Sequence, residues 1–159
     1  MIRPILALVA LALAAGFQGA LTVYVPATAA VIDLLLIVAI YYALHTNQVS
    51  GMLMGTACGL VLDSLVAHPI GQNAFALTLI GYLVGGLGKR FELSQPLFHL
   101  LVLAGATLMQ AAVVSVLHMV LGLPVEFPSW SLLLARMAAN GLVGMAIYAG
   151  LQRRARSRS

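Results

Sequence analysis

Long apolar stretches almost free of charge recur along this chain, and they constrain its fold more than any other feature. A helix needs about twenty consecutive apolar residues to cross the hydrocarbon core of a bilayer. Six such runs can be read, over residues 5–23, 27–44, 49–67, 73–87, 97–121 and 129–151. Pro26, Pro69, Pro96 and Pro128 stand at or just before run starts, where a missing backbone N–H is least damaging. Residues 45–48 and 88–95 read as polar connectors, and 123–128 as a rigid turn. The composition agrees, with 8% charged residues and a mean hydropathy of +1.06. A soluble domain carries roughly a quarter charged residues. So few charges cannot cover a soluble globule of 159 residues. The expected fold is all-α membrane, a six-transmembrane-helix bundle forming a single integral membrane domain over residues 1–159.

The net charge of +4 invites a nucleic-acid reading, which the placement of the bases excludes. Arg3, Lys89, Arg90, Arg153, Arg154, Arg156 and Arg158 flank apolar runs, as charges that orient membrane helices do. With the N-terminus in the cytoplasm, all seven fall inside, and the outer loops near residues 24–26, 68–72 and 122–128 hold no Lys or Arg. The expected placement is therefore multi-pass in the cell (inner) membrane with both termini cytoplasmic. Met1-Ile2-Arg3, the following apolar run and Ala12, Ala14 and Ala15 also resemble a signal peptide. The run continues through Leu21 to Val25, so retention of the first helix is expected. The arginine-rich tail anchors orientation and can touch anionic membrane lipid.

Three ionisable residues lie inside the runs. On continuous helices, Asp33 would sit about 10 Å below Pro26, Asp63 about 9 Å before Pro69 and Arg136 about 12 Å past Pro128, all in the outer half of the bilayer. Each unpaired charge near the bilayer centre costs on the order of 2.5–3.5 kcal/mol, so the three are expected to face the bundle interior and pair. The arginine's forked guanidinium suits one carboxylate. One reading is a structural ion pair fixing helix packing. Another is a polar cavity or partner-binding site open to the outer face, and a third is snorkelling of Arg136 or Asp63 to the interface. Gln18, Asn73, Gln110, His118 and Asn140 add weaker polarity to the interior. No metal-ligand spacing accompanies them, so no metal and no cofactor is expected. The two aspartates lack an adjacent nucleophile or oxyanion donor, so the chain does not read as an enzyme.

Gly51, Gly55 and Gly59 stand four residues apart on the third run, and Gly81 and Gly85 repeat the spacing on the fourth. Such smooth faces let backbones approach closely in lipid, either within the bundle or against a partner's helix. Between these runs, Pro69 and Gly71 permit a tight outer turn, with Asn73 placed to cap the next helix. Cys58, the lone cysteine, is expected to pack.

Three stretches, 33–44, 51–63 and 69–91, carry a resemblance. They include Gly59-Leu60-Val61-Leu62-Asp63, Pro69-Ile70-Gly71, Gly81-Tyr82-Leu83-Val84-Gly85 and Lys89-Arg90-Phe91. In these the chain resembles the MreD family of bacterial rod shape-determining membrane proteins. Beyond Phe91 the likeness is mainly one of hydropathy. The resemblance implies a non-enzymatic membrane scaffold of the cell-elongation (rod shape, peptidoglycan synthesis) complex that binds MreC. Through MreC it implies the RodA glycosyltransferase, a class B penicillin-binding transpeptidase and the actin-like MreB. It also implies a fold similar to the S components of energy-coupling-factor vitamin transporters. The alternative function is accordingly a small-molecule-binding S-component-like subunit, with Asp33, Asp63 and Arg136 lining its pocket.

Overall fold

The computed structural model describes residues 2–65, 71–88, 95–124 and 128–156, which are helical with no strand among them. In chain order the helices are α1 (Ile2–Tyr24), α2 (Pro26–Ala29), α3 (Leu34–Leu44), α4 (Gln48–Leu65), α5 (Gln72–Leu87), α6 (Pro96–Val120) and α7 (Trp130–Arg156). Four apolar segments are long enough to cross a membrane: Ile5–Tyr24, Pro26–Leu44, Pro96–Val120 and Trp130–Gly150. At about 1.5 Å per residue, the 16 residues of α5 reach only about 24 Å, short of a hydrocarbon core of about 30 Å. α4 has 18 residues, seven of them Gly, Ser, Thr or Gln, and falls outside the four on hydropathy. Pro69, Lys89, Arg90 and Arg158 lie outside the described residues.

α3 is the central element. Leu35, Leu36, Ile37, Ala39, Ile40, Ala43 and Leu44 are all buried, and α1, α4, α5, α6 and α7 pack around it. An apolar, all-round surface suits a helix enclosed by neighbours rather than one facing lipid on one side. Large exposed apolar side chains line the outer faces of α1, α6 and α7, among them Leu13, Phe17, Leu101, Val116 and Leu134. Those are the faces a lipid solvent would cover. α1 packs on α2, α3 and α4, and α6 pairs with α7. Among the described residues α1 and α7 do not pack on one another, which leaves a gap between them.

The tightest contact in the bundle is α4 on α5, and glycine makes it. A Cβ on Gly55 would strike the Leu77 carbonyl, one on Gly59 the backbone of Ala74, and Gly51 and Gly81 face each other's carbonyls. Thr56 and Thr78 add a hydroxyl–hydroxyl bond of 2.7 Å across the same contact. Gly85 meets the backbone at Asn47 and Gln48. These five glycines are committed to packing inside the chain, so a partner helix would have to use another face.

The second apolar run departs from a continuous helix. The helix stops at Ala29, turns through residues 30–33 and restarts at Leu34. Asp33 is thus the N-cap of α3 rather than a residue on a helical wall, and its Oδ1 accepts the Leu36 N–H at 2.9 Å. An aspartate offers the orphan N–H groups of a new helix a better acceptor than the preceding turn can, which favours a restart at that point.

Candidate functional site

Polar side chains converge at the end of the bundle that carries Tyr24, Gly71 and Leu121, called here the Gly71 end. Asp63, near the end of α4, is 2% exposed and folds over the start of α5. Its Oδ2 accepts from Gly71 N at 2.8 Å and Ala74 N at 3.1 Å, and its Oδ1 from Asn73 N at 3.1 Å. Gly71, the N-cap residue, has φ +109° and no side chain to cap with, so a carboxylate from the neighbouring helix supplies the acceptor. Asn73 therefore does not cap α5 as expected. Its side chain bridges instead, donating Nδ2 to Asp63 Oδ1 at 3.0 Å while its Oδ1 accepts from Gln110 Nε2 at 3.1 Å.

Gln110 also donates to Asp33 Oδ2 at 3.1 Å. The Asp33 backbone N–H donates to Asn140 Oδ1 at 2.9 Å, and Asn140 Nδ2 donates to Thr107 Oγ1 at 3.1 Å. A continuous chain thus runs Asp63–Asn73–Gln110–Asp33–Asn140–Thr107 and joins α4, α5, α6, α3 and α7. Gln18 of α1 binds the same corner from the other side, taking the Leu34 N–H at 3.0 Å and donating to Ile32 O at 3.2 Å.

The pairing expected of Asp33, Asp63 and Arg136 is not made among the described residues. Arg136 is half-buried and donates its Nε to Ala30 O at 2.8 Å. Each carboxylate is satisfied by N–H donors instead: backbone amides and Asn73 at Asp63, Leu36 N and Gln110 at Asp33. Backbone and amide donors stabilise a carboxylate without bringing a second charge out of water, which explains why an ion pair is not needed here.

Asp33 and Arg136 do line one cavity of about 820 Å³ at the Gly71 end, whereas Asp63 is not on its wall. The wall draws on α1, α2, α4, α5, α6 and α7 and on the N-cap of α3, through residues that include Thr22, Leu62, Gln72, Val114, His118 and Leu132. Gln72 is 4% exposed, and its Oε1 contacts His118 Nε2 at 2.7 Å while its Nε2 is buried without a hydrogen-bond partner. His118 Nδ1 contacts Pro124 O at 3.0 Å, which ties the end of α6 to the loop beyond it.

A second cluster lies at the opposite end. The His99 ring stacks on Tyr148 at 4.0 Å and sits 5.5 Å from Tyr41, whose hydroxyl donates to Gly144 O at 2.7 Å. His99 is fully buried, with Nδ1 near Gln95 O at 3.3 Å and Nε2 without a partner. Sequence reading missed this cluster, as it missed the role of Gln72. The only available signal was an aromatic or imidazole ring near one end of each of α3, α6 and α7, which does not say that the rings meet. Among the described residues no group of three or more metal-ligating side chains forms a candidate metal site.

Neither a curated protein nor a solved structure matches this chain. The family described as rod shape-determining protein MreD matches residues 1–151, nearly the whole sequence. With its apolar helices and a match of that extent, this multi-pass membrane chain belongs to the MreD family of rod shape-determining proteins.

Proposed function

We propose that this chain works without catalysis, as a scaffold of the bacterial cell-elongation and peptidoglycan-synthesis complex, and that its direct partner is MreC. RodA, a class B penicillin-binding transpeptidase and MreB would join through that partner. Family membership supports the reading, and one observation carries it: the interior polar groups are bonded to each other across five helices. Such a lattice fixes relative helix positions, as a docking platform needs. In this reading the chain crosses the inner membrane six times, with α2 and α3 forming one broken crossing. Both termini are cytoplasmic and the Gly71 end faces outward, in keeping with the basic residues that flank the other side.

The test is recovery of MreC with the tagged chain from native membranes at ordinary expression levels. Recovery is expected from the wild type, and it should fall in Asp63→Ala or Arg136→Ala if the Gly71 end shapes the docking surface. Failure of the wild type to retain MreC, with its membrane level unchanged, would overturn the scaffold reading.

The cavity of about 820 Å³ favours a second reading, a small-molecule-binding subunit like the S components of vitamin transporters, whose fold this bundle would share. A co-purified vitamin-like compound found by mass spectrometry would favour it, and dependence on a partner ATPase would set it apart from the scaffold.

A further inference from the structure

We propose that the cavity at the Gly71 end binds an anionic amphiphile, with its phosphate or carboxylate on the Arg136 guanidinium and its apolar part leaving between α1 and α7. The inference goes beyond the scaffold reading and does not depend on it.

Four observations converge. Arg136 lines the cavity and engages only Nε, with Ala30 O, so its two terminal nitrogens have no partner among the described residues. A guanidinium used in that way presents a planar fork that fits two oxygens of one oxyanion. Asp33, the acid on the same wall, leaves that fork open: its oxygens accept from Leu36 N and Gln110 Nε2, and its charge reaches Arg136 only at longer range. A guanidinium within a bilayer that makes no direct ion pair among the described residues favours contact with an anion brought from outside. The third observation is Gln72, a residue of this wall whose Nε2 is buried without an acceptor, so an oxyanion toward which that amide turned would satisfy it.

The fourth is the exit. α1 and α7 do not pack together, yet Thr22 of α1 and Leu132 of α7 both line the cavity. In the proposal the apolar part passes between them toward the lipid, and Leu62, Val114 and Leu132 give the cavity wall an apolar portion. A water-soluble anion would gain nothing from such a wall, whereas an amphiphile would bury part of its chain against it. The volume lies within the usual range for small-molecule sites and accommodates a headgroup with the start of a chain.

The experiment titrates the purified full chain in neutral detergent with phosphatidylglycerol bearing a fluorescent tail, against diacylglycerol bearing the same tail. Phosphatidylglycerol should bind roughly tenfold tighter or more, the difference expected of one charge-assisted contact. Arg136→Gln should abolish that preference. Val114→Phe, which narrows the cavity and keeps the charge, should weaken phosphatidylglycerol too. It carries the test alone if Arg136→Gln does not fold. Equal binding of the two lipids, or a preference unchanged in both variants, would overturn the proposal. Displacement by inorganic phosphate at concentrations similar to the lipid's would overturn the amphiphile assignment, since it would make the free anion the ligand.

Discussion

Asp63 of α4 holds Asn73 of α5 twice, through the backbone N–H at 3.1 Å and the side-chain amide at 3.0 Å. With Gly71 N and Ala74 N on its other oxygen, the carboxylate replaces the N-cap that α5 lacks. Asp63→Ala should therefore lower stability by about 2–3 kcal/mol, with Asp63→Asn losing less because one amide oxygen can still accept. Thermal unfolding of the detergent-solubilised chain measures this, and an unchanged midpoint in the alanine variant would contradict it.

Glycines differ sharply in what replacement would do. Gly59→Ala drives a Cβ into the Ala74 backbone and should destabilise by about 1–3 kcal/mol, more if α4 and α5 must separate. A Cβ on Gly105, in the middle of α6, would meet nothing within 4 Å. Gly105→Ala should be neutral or stabilise by up to about 1 kcal/mol through helix propensity. Equal midpoints for the two variants would show that the α4–α5 contact is not close.

Asn140 is 1% exposed and joins the α3 start to Thr107. Asn140→Leu keeps the volume but leaves the Asp33 N–H without its acceptor, at a loss of about 1–3 kcal/mol. Hydrogen exchange at the start of α3 should speed up in this variant. Exchange as slow as in the wild type would mean that another acceptor serves Asp33.

At the opposite end, His99→Phe should be neutral or mildly stabilising, because it removes the unpaired buried Nε2 and keeps a ring stacked on Tyr148. His99→Ala should instead cost about 3 kcal/mol or more by opening a cavity. The alanine midpoint should fall below that of the wild type and the phenylalanine midpoint should equal or exceed it, and a phenylalanine variant as unstable as the alanine one would reveal a needed ring nitrogen.

Much of this architecture could be read from the sequence because lipid imposes simple rules. Apolar runs announced an all-helical membrane chain, and Gly51, Gly55, Gly59, Gly81 and Gly85, spaced for smooth faces, lie where backbones come close. What could not be read was which face those glycines meet, since periodicity places residues on a face without naming its neighbour. Asp33 misled for a related reason. Its apolar surroundings from Ala27 to Leu44 argue for one helix, and the restart at Leu34 depends on acceptors and donors that arrive from α1, α6 and α7. The demand that Asp63 and Arg136 be satisfied was legible, but the sequence offered each of them amides and carbonyls as well as opposite charges. The choice among those partners is made by tertiary geometry alone.

The corner at residues 30–33 gathers three tethers from elements that otherwise do not touch: Gln18 from α1, and Arg136 and Asn140 from α7. Sliding or tilting either outer helix there must strain or rupture its hold on the corner. The width of the sideways mouth and the integrity of the α2–α3 break are thereby mechanically coupled. Anything wedged into that mouth would be felt at the start of the central helix, and through Gln110 at the α4–α5 pair beyond it.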